Sequence, residues 1–79
     1  MSRVQIYTWS NCPYCVRAKN LLKSKGIEFE EINLDDKDKE LKELQARTGQ
    51  RTVPQIFIDG KMIGGFSELA QMDSEGKLK

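Results

Sequence analysis

The amino-terminal third of the sequence predicts a strand, a sharp turn and a helix, and this order constrains the fold most. Residues 3–9 are β-branched and aromatic with rough alternation, which is typical of a strand. Pro13 suits the first position of a helix because its missing N–H needs no partner there, so Cys12 is the predicted N-cap. The helix is predicted to run to about Lys25 and to end at Gly26 in a left-handed conformation. The chain therefore turns from strand to helix at Cys12.

Three further strands are predicted downstream. The segment 27–33 alternates as a second strand until Ile32, where the phase changes and a bulge is one explanation. Two short apolar runs, 55–58 and 61–63, are joined by Asp59-Gly60, a dipeptide that suits a type I′ turn. These runs are predicted to form a hairpin.

Two more helices complete the pattern. One is predicted at the mixed-charge run from Asp35 to Glu43, where Leu41 and Leu44 are three apart and Gly49 closes the segment. The other is predicted at about 67–75, where Leu69 and Met72 have the same spacing. A strand, helix, strand unit requires parallel pairing with a right-handed crossover, and a hairpin adds antiparallel strands. The predicted fold class is therefore α/β, with the order βαβαββα and one four-stranded mixed sheet flanked by three helices.

Length and composition limit the number of domains, the classes of partner and the expected location of the protein. A chain of 79 residues is expected to form a single domain, covering residues 1–79. Thirteen basic and twelve acidic side chains leave a formal charge of +1, which argues against nucleic acid or an anionic membrane as a partner. No apolar run is long enough for a membrane span and no secretory signal is evident. A cytoplasmic location is the expectation.

The sequence has two cysteines and no histidine. A hydrolase that uses imidazole as its base is therefore excluded, as are zinc and haem sites with histidine ligands. Two cysteines cannot complete a four-cysteine zinc site within one chain, and disulfide-stapled secreted modules usually carry four or more. The chemistry that remains is that of a pair of thiols.

Cys12 and Cys15 lie two residues apart at the predicted start of the first helix. The reactive form of a thiol is the thiolate, and helix N-termini in such motifs lower the cysteine pKa from about 8.5 to roughly 3.5–7.5. Cys12 is the predicted nucleophile, and Cys15, on the apolar face, is the predicted resolving thiol. A buried structural pair, or half of a zinc site completed by a second chain, is the alternative. The strand, the proline and the absence of other ligands favour redox chemistry.

Three segments, Cys12-Pro13-Tyr14-Cys15, Thr52-Val53-Pro54-Gln55 and Gly64-Gly65, resemble the signatures of dithiol glutaredoxins in order and spacing. The resemblance covers essentially the whole chain. It implies a thioredoxin-like fold, a cis Val53-Pro54 bond, and a Val53 backbone that lies beside Cys12 and pairs with the cysteinyl part of glutathione. It also implies a glutathione-dependent thiol-disulfide oxidoreductase with no tightly bound cofactor. Its partners would be glutathione and disulfide-containing or glutathionylated proteins, and the protein is expected to be a monomer.

The resemblance also implies a glutathione site, comprising Tyr14, Arg51, Thr52, Val53, Pro54, Gly65, Phe66, Ser67 and Glu68. Glutathione carries two carboxylates and one ammonium, so its site needs cationic or N–H donors at two places and an acceptor at a third. Amide groups near Ser67, at the start of the last helix, would hold the γ-glutamyl carboxylate. The Ser67 hydroxyl or the Glu68 carboxylate would receive the ammonium, and Arg51 would hold the glycyl carboxylate. An ordinary N-cap at Ser67 and a solvated cation at Arg51 are the alternatives.

Trp9 occupies a position at which many members of that family carry lysine or arginine, and it is expected to provide an aromatic wall instead. Two other functions fit the same residues. One is a redoxin reduced by thioredoxin reductase. The other is an iron-sulfur carrier in which two chains each offer Cys12 and two glutathione thiols complete the ligand set. A purely structural domain is the weakest hypothesis, because an exposed thiol at a helix N-terminus has no packing value.

Overall fold

The computed structural model describes residues 3–50 and 52–78. The observed elements are β1 (Val4–Thr8), α1 (Pro13–Ser24), β2 (Glu30–Asn33), α2 (Asp38–Thr48), β3 (Gln55–Ile58), β4 (Lys61–Gly64) and α3 (Phe66–Ser74). This order confirms the predicted βαβαββα arrangement. No helix in these two ranges combines the length and the apolar character needed to cross a membrane.

The four strands form one mixed sheet in the order β2-β1-β3-β4. The central strand β1 pairs with β2 in parallel and with β3 in antiparallel, and β3 pairs with β4 in antiparallel. Asp59 and Gly60 both have positive φ, 52° and 82°, as a type I′ turn requires. The predicted hairpin is thereby confirmed.

Several element boundaries differ from the prediction, among them the starts of β2, α2 and α3. β2 begins at Glu30 rather than at residue 27, and α2 begins at Asp38 rather than at residue 35. Asp36 has a φ of 58°, which is incompatible with a right-handed helix, so α2 starts only after it. The third difference is at α3, which begins one residue early, at Phe66.

The phase change at Ile32 is not a bulge. β1 and β2 pair in regular register from Gln5↔Glu30 to Thr8↔Asn33. Phe29 packs on one core cluster and Ile32 on the other, so the apolar residues change faces while the backbone alternation continues. Both faces of the sheet accept apolar side chains because helices cover both. The register shift in this sheet lies instead between β3 and β4, at Ile56/Phe57.

Two core clusters lie on opposite faces of the sheet. The first joins β1 and β3 to α1 and α3, and its buried members are Val4, Ile6, Ala18, Leu22, Ile56, Leu69 and Leu78. The second joins the sheet to α2, and its buried members are Leu34, Leu44 and Phe57. The sheet is therefore held between two helices on one face and one helix on the other, with the carboxyl end of β1 leading to the cysteines.

A polar network links α1 to the sheet at Glu31. The Thr8 hydroxyl donates a hydrogen bond of 2.7 Å to Glu31 Oε2, and Lys19 Nζ lies 3.0 Å from the same oxygen. The Thr8 hydroxyl, and after it Lys19, hold the pKa of Glu31 below its ordinary value of 4.5 against the opposing effect of burial. This network favours the ionised carboxylate in the folded protein.

We expect the stability contributed by Glu31 to depend on pH. Since the folded pKa lies below the unfolded value, the stabilisation is fully present above about pH 4.5 and is lost as the pH falls through the folded pKa. Glu31→Gln should lower the free energy of unfolding by about 0.5 kcal/mol at pH 7, because the pair is partly exposed. Urea unfolding across this pH range checks the effect, with Glu28→Gln on the exposed connection as control. If the loss of unfolding free energy in Glu31→Gln did not depend on pH, then the ionised carboxylate of Glu31 would not be the source of the stabilisation.

Candidate active site

The two cysteines lie at the first turn of α1. Cys12 is the N-cap, with an extended φ of −145°, and Pro13 occupies the first helical position as predicted. The cysteine sulfurs are joined in a disulfide, with Cα atoms 5.2 Å apart. The Cys15 N–H donates a hydrogen bond of 3.1 Å to Cys12 Sγ. A first-turn amide of the helix is thus directed at the sulfur of Cys12.

The two cysteines differ in exposure. Cys15 is 1 % exposed and lies on the buried face of α1, whereas Cys12 is 9 % exposed. The order of accessibility agrees with the prediction, but Cys12 is largely buried, whereas an exposed thiol was expected. Cys12 is therefore the more accessible of the two cysteines.

The segment before β3 lies against the cysteines. The Val53-Pro54 bond is cis, as the resemblance implied, and Pro54 is buried. The carbonyl oxygen of Val53 lies 3.7 Å from Cys12 Sγ. The backbone of Val53 is thus close enough to contact a group that is bonded to Cys12.

A cleft of about 590 Å³ lies next to this contact. It is lined by Tyr14, Gln50, Thr52, Val53, Pro54, Gln55, Met62, Ile63, Gly64, Gly65, Phe66, Ser67 and Glu68. All the predicted glutathione-site residues that the structure describes are in this lining, and Arg51 lies outside the described residues. The cleft therefore brings together the three signature segments.

The lining also contains Gln50, Gln55, Met62 and Ile63, which the sequence analysis did not assign to the glutathione site, although Gln55 ends the signature segment 52–55. The one with a sequence signal is Gln55, a polar residue in an otherwise apolar strand directly after Pro54. Met62 and Ile63 belong to β4, where they were interpreted only as strand residues. Their place in the cleft follows from the pairing of β4 with β3.

An aromatic pair connects the starts of α1 and α3. The rings of Tyr14 and Phe66 have centroids 6.0 Å apart, and the Arg17 guanidinium lies 5.2 Å from the centroid of Tyr14. Tyr14 is 57 % exposed, so this pair forms an accessible rim of the cleft. Trp9, by contrast, is not among the lining residues and packs on the core cluster beneath α2. The aromatic side chains that line this cleft are those of Tyr14 and Phe66, and the aromatic wall predicted at Trp9 is not part of this lining.

The start of α3 forms another part of the lining. Its N-cap is Gly65 rather than Ser67, so the alternative interpretation of Ser67 as an ordinary N-cap is wrong. The Glu68 carboxylate accepts a hydrogen bond of 2.7 Å from the Gly65 N–H. Because glycine has no side chain to accept from the first-turn amides, a ligand is free to bind them.

The loop before Cys12 is held by Ser10, Asn33 and Asp35. Asp35 accepts from the Ser10 N–H at 3.1 Å, and the Asn33 amide donates to the Ser10 hydroxyl at 3.1 Å. Hydrogen bonds from the Ser10 hydroxyl and N–H lower the pKa of Asp35. The end of β2 thus anchors the loop that leads into the active site.

We expect Gly64→Ala to be more damaging than Gly60→Ala. Both glycines have positive φ, but a Cβ at Gly64 would lie 2.5 Å from Glu68 Cγ, whereas one at Gly60 would meet nothing within 4 Å. Gly60→Ala should cost about 1 kcal/mol from backbone strain, and Gly64→Ala about 2–3 kcal/mol because Glu68 is also displaced. Urea unfolding measures both. Equal losses in the two variants would show that the Glu68 contact is unimportant.

Fold and site together define a redox protein with a thioredoxin-like fold and a Cys-X-X-Cys disulfide at a helix N-terminus. Within the described ranges, no group of three or more cysteine, aspartate or glutamate side chains is arranged to hold a metal ion. The family model for glutaredoxin matches residues 4–63. The chain belongs to the glutaredoxin family.

Individual relatives agree with this assignment. The chain is 49% identical over 78 residues to Glutaredoxin 3 of Escherichia coli (strain K12), covering 99% of this chain and 94% of the relative. It is 38% identical to a buckwheat glutaredoxin in a glutathione complex, with a TM-score of 0.91 and coverage of 98% and 73%. The solution structure of a Brucella melitensis glutaredoxin is 47% identical, with a TM-score of 0.85 and coverage of 96% and 83%.

The predicted activity is confirmed at the level of the family. The protein is a glutathione-dependent thiol-disulfide oxidoreductase of the dithiol type. Neither of the two alternatives, a redoxin reduced by thioredoxin reductase or an iron-sulfur carrier, is favoured by the relatives.

Proposed function

We propose that Cys12 is the nucleophile and that Cys15 resolves the mixed disulfide formed on it. The observation that carries this is the difference in exposure, 9 % for Cys12 against 1 % for Cys15, with the Cys15 N–H directed at Cys12 Sγ. A thiolate at this position is stabilised by that amide and by the positive end of the α1 dipole. No imidazole is present to act as base.

The reaction then consists of two exchanges. The Cys12 thiolate attacks a glutathione mixed disulfide at the glutathione sulfur, a bond forms between Cys12 and glutathione, and the substrate thiolate leaves. A second glutathione thiolate then attacks the sulfur of the bound glutathione, so glutathione disulfide forms and the Cys12 thiolate leaves; alternatively, Cys15 attacks Cys12 Sγ and the bound glutathione leaves as a thiolate. With protein disulfides, Cys15 completes the reduction and the Cys12–Cys15 disulfide forms. Two glutathione molecules reduce that disulfide and leave as glutathione disulfide.

The cleft is proposed to bind the glutathione moiety along its length. The Val53 backbone, next to Cys12 Sγ, would pair with the cysteinyl part, and Thr52, Pro54 and Tyr14 would flank it. The first-turn amides of α3 after Gly65 would bind the γ-glutamyl carboxylate, as helix N-termini bind anions. The Ser67 hydroxyl is preferred for the ammonium, since one Glu68 oxygen already accepts from Gly65. Arg51 would hold the glycyl carboxylate.

The proposed protein partners are disulfide-containing or glutathionylated proteins, whose chains would approach across the rim formed by Tyr14 and Phe66. A cytoplasmic location is proposed because the cycle needs a supply of reduced glutathione. The protein is proposed to act as a monomer, since the exchanges described need one copy of Cys12 and Cys15. Sedimentation of the purified protein tests this last point.

Titration of the reduced protein with glutathione disulfide, with mass detection of the adduct, tests the site. We expect one glutathione on Cys12 in a Cys15→Ser background. Ser67→Ala should raise the KM for a glutathionylated peptide about threefold to tenfold through loss of one hydrogen bond. Ser74→Ala, at the other end of α3, is the matched control and should leave the KM unchanged. An unchanged KM in Ser67→Ala would remove the serine from the site.

A further inference from the structure

Gln55 is a buried polar residue to which the redox cycle assigns no role. It is the first residue of β3, is 1 % exposed, and precedes Ile56, Phe57 and Ile58 in an apolar strand. Burying an amide is unfavourable unless its groups are hydrogen-bonded. The Oε1 of Gln55 has no hydrogen-bond partner among the described residues, so the partners of its Nε2 indicate why a polar side chain occupies this position.

The Gln55 side chain holds the connection between α2 and β3. Its Nε2 donates to the carbonyl oxygens of Gln50 at 3.1 Å and Thr52 at 3.0 Å. Both partners are acceptors only, so both hydrogens of the side-chain NH₂ are used. At the start of this connection, the Gln50 N–H donates a hydrogen bond of 3.2 Å to the Thr48 hydroxyl. Gln55 is thus a two-point clamp on the backbone that leads to Val53.

The two hydrogen bonds from the Gln55 side chain determine the direction of the Val53 N–H, a backbone donor at the cleft. In a trans peptide the C=O and N–H groups point in opposite directions, and the Thr52-Val53 bond is not among the cis bonds. Because Gln55 binds the Thr52 carbonyl, the Val53 N–H points away from the Gln55 side chain. The Val53 carbonyl, in turn, lies 3.7 Å from Cys12 Sγ. Both polar groups of Val53 therefore have fixed orientations beside the reacting sulfur.

We propose that Gln55 is a positioning residue for glutathione: its amide orients the Val53 backbone that pairs with the glutathionyl group on Cys12. This inference rests on the proposed glutathione site. Gln55 does not touch the reacting sulfurs and acts through the Gln50 and Thr52 carbonyls. Loss of the clamp should therefore weaken the bound glutathione without changing the reactivity of the Cys12 thiolate.

The test uses the Cys15→Ser protein, in which the mixed disulfide accumulates on Cys12. In the measured step the Cys12 thiolate attacks glutathione disulfide, one protein–glutathione bond forms, and one glutathione thiolate leaves. Gln55→Met keeps a side chain of similar length but removes both donors. We expect its equilibrium constant for this step to fall about tenfold, the size of a lost pair of positioning hydrogen bonds. The corresponding reaction with bis(2-hydroxyethyl) disulfide, which has no glutathione groups, should be unchanged.

Two further variants separate positioning from general damage. Gln55→Glu has nearly the same shape, but its carboxylate cannot donate to the two carbonyls, so it should show the same selective loss. Ile58→Val, at the far end of β3, is the matched control for a change in the same strand and should keep wild-type equilibria for both disulfides. An equal loss with both disulfides in the Gln55 variants, or no loss with glutathione disulfide, would overturn the inference.

The failure of the underlying glutathione site gives a different result. If the reference Cys15→Ser protein itself shows no preference for glutathione disulfide over the neutral disulfide, then the proposed site is wrong, whatever Gln55 does. A measurement on the wild-type protein remains decisive even if the Gln55 variants do not fold. The Gln55 side-chain NH₂ should exchange with water more slowly than that of the exposed Asn20, and more slowly still after glutathione binds. Equal exchange at Gln55 and Asn20 would contradict the clamp.

Discussion

Cys12→Ser is expected to abolish the reduction of a glutathione mixed disulfide, whereas Cys15→Ser should retain much of it. Removing the nucleophile leaves only Cys15, which is 1 % exposed, so the rate should fall by at least about a thousandfold. In Cys15→Ser, external glutathione can still resolve the adduct on Cys12. A coupled assay with glutathione, glutathione reductase and NADPH measures both variants.

The same pair of variants distinguishes the two classes of substrate. Reduction of a protein disulfide requires Cys15 to release the substrate from Cys12, so Cys15→Ser should lose this activity while it keeps the other. The exposures of 9 % and 1 % predict this direction and not its reverse. If Cys12→Ser retained the reduction of mixed disulfides and Cys15→Ser lost it, then Cys15 would be the nucleophile and Cys12 the resolving thiol.

Leu22→Ala should destabilise the protein more than Leu21→Ala, its neighbour on α1. Leu22 is fully buried on α1 in the cluster that joins α1 and α3 to the sheet. Truncating a fully buried leucine costs about 3 kcal/mol, the sum of lost transfer free energy and a cavity. That is a large part of the roughly 4–12 kcal/mol expected for a domain of this size. Urea unfolding of the oxidised protein measures the loss.

The neighbouring residue is the matched control for this substitution. Leu21 lies beside Leu22 on α1 but is only partly buried against the same cluster. Leu21→Ala should cost about 1 kcal/mol, because part of its surface is already in water. Similar losses at the two positions would mean that the cluster relaxes around Leu22 and leaves no cavity.

Those features of the site that depend on a single short segment of the chain could be predicted from the sequence. Pro13 begins α1 and makes Cys12 its N-cap, as the proline rule predicts. The start of α3 shows where such reasoning fails, since Ser67 is a good N-cap by residue type but Gly65 is used. The Glu68 carboxylate reaches the Gly65 N–H, and this favours the earlier start.

Residues whose role depends on distant partners were harder to predict. Trp9 was expected beside the site, yet the loop carries it to the core cluster beneath α2. The phase change at Ile32 suggested a bulge because the sequence does not show that both faces of the sheet are covered. Glu31 occupies the opposite face, where Thr8 and Lys19 bind its carboxylate.

By itself, the sequence determined the order of the elements and the position of the thiol pair at a helix start, because periodicity, proline and turn glycines act over a few residues. It also restricted the chemistry to that of two cysteines, since no histidine is present. Only the tertiary structure determined which residues form the cleft, where it brings together Tyr14, the segment 52–54 and the segment 64–68. These parts meet because β3 pairs with both β1 and β4, and pairing between distant segments sets which backbone groups lie beside Cys12.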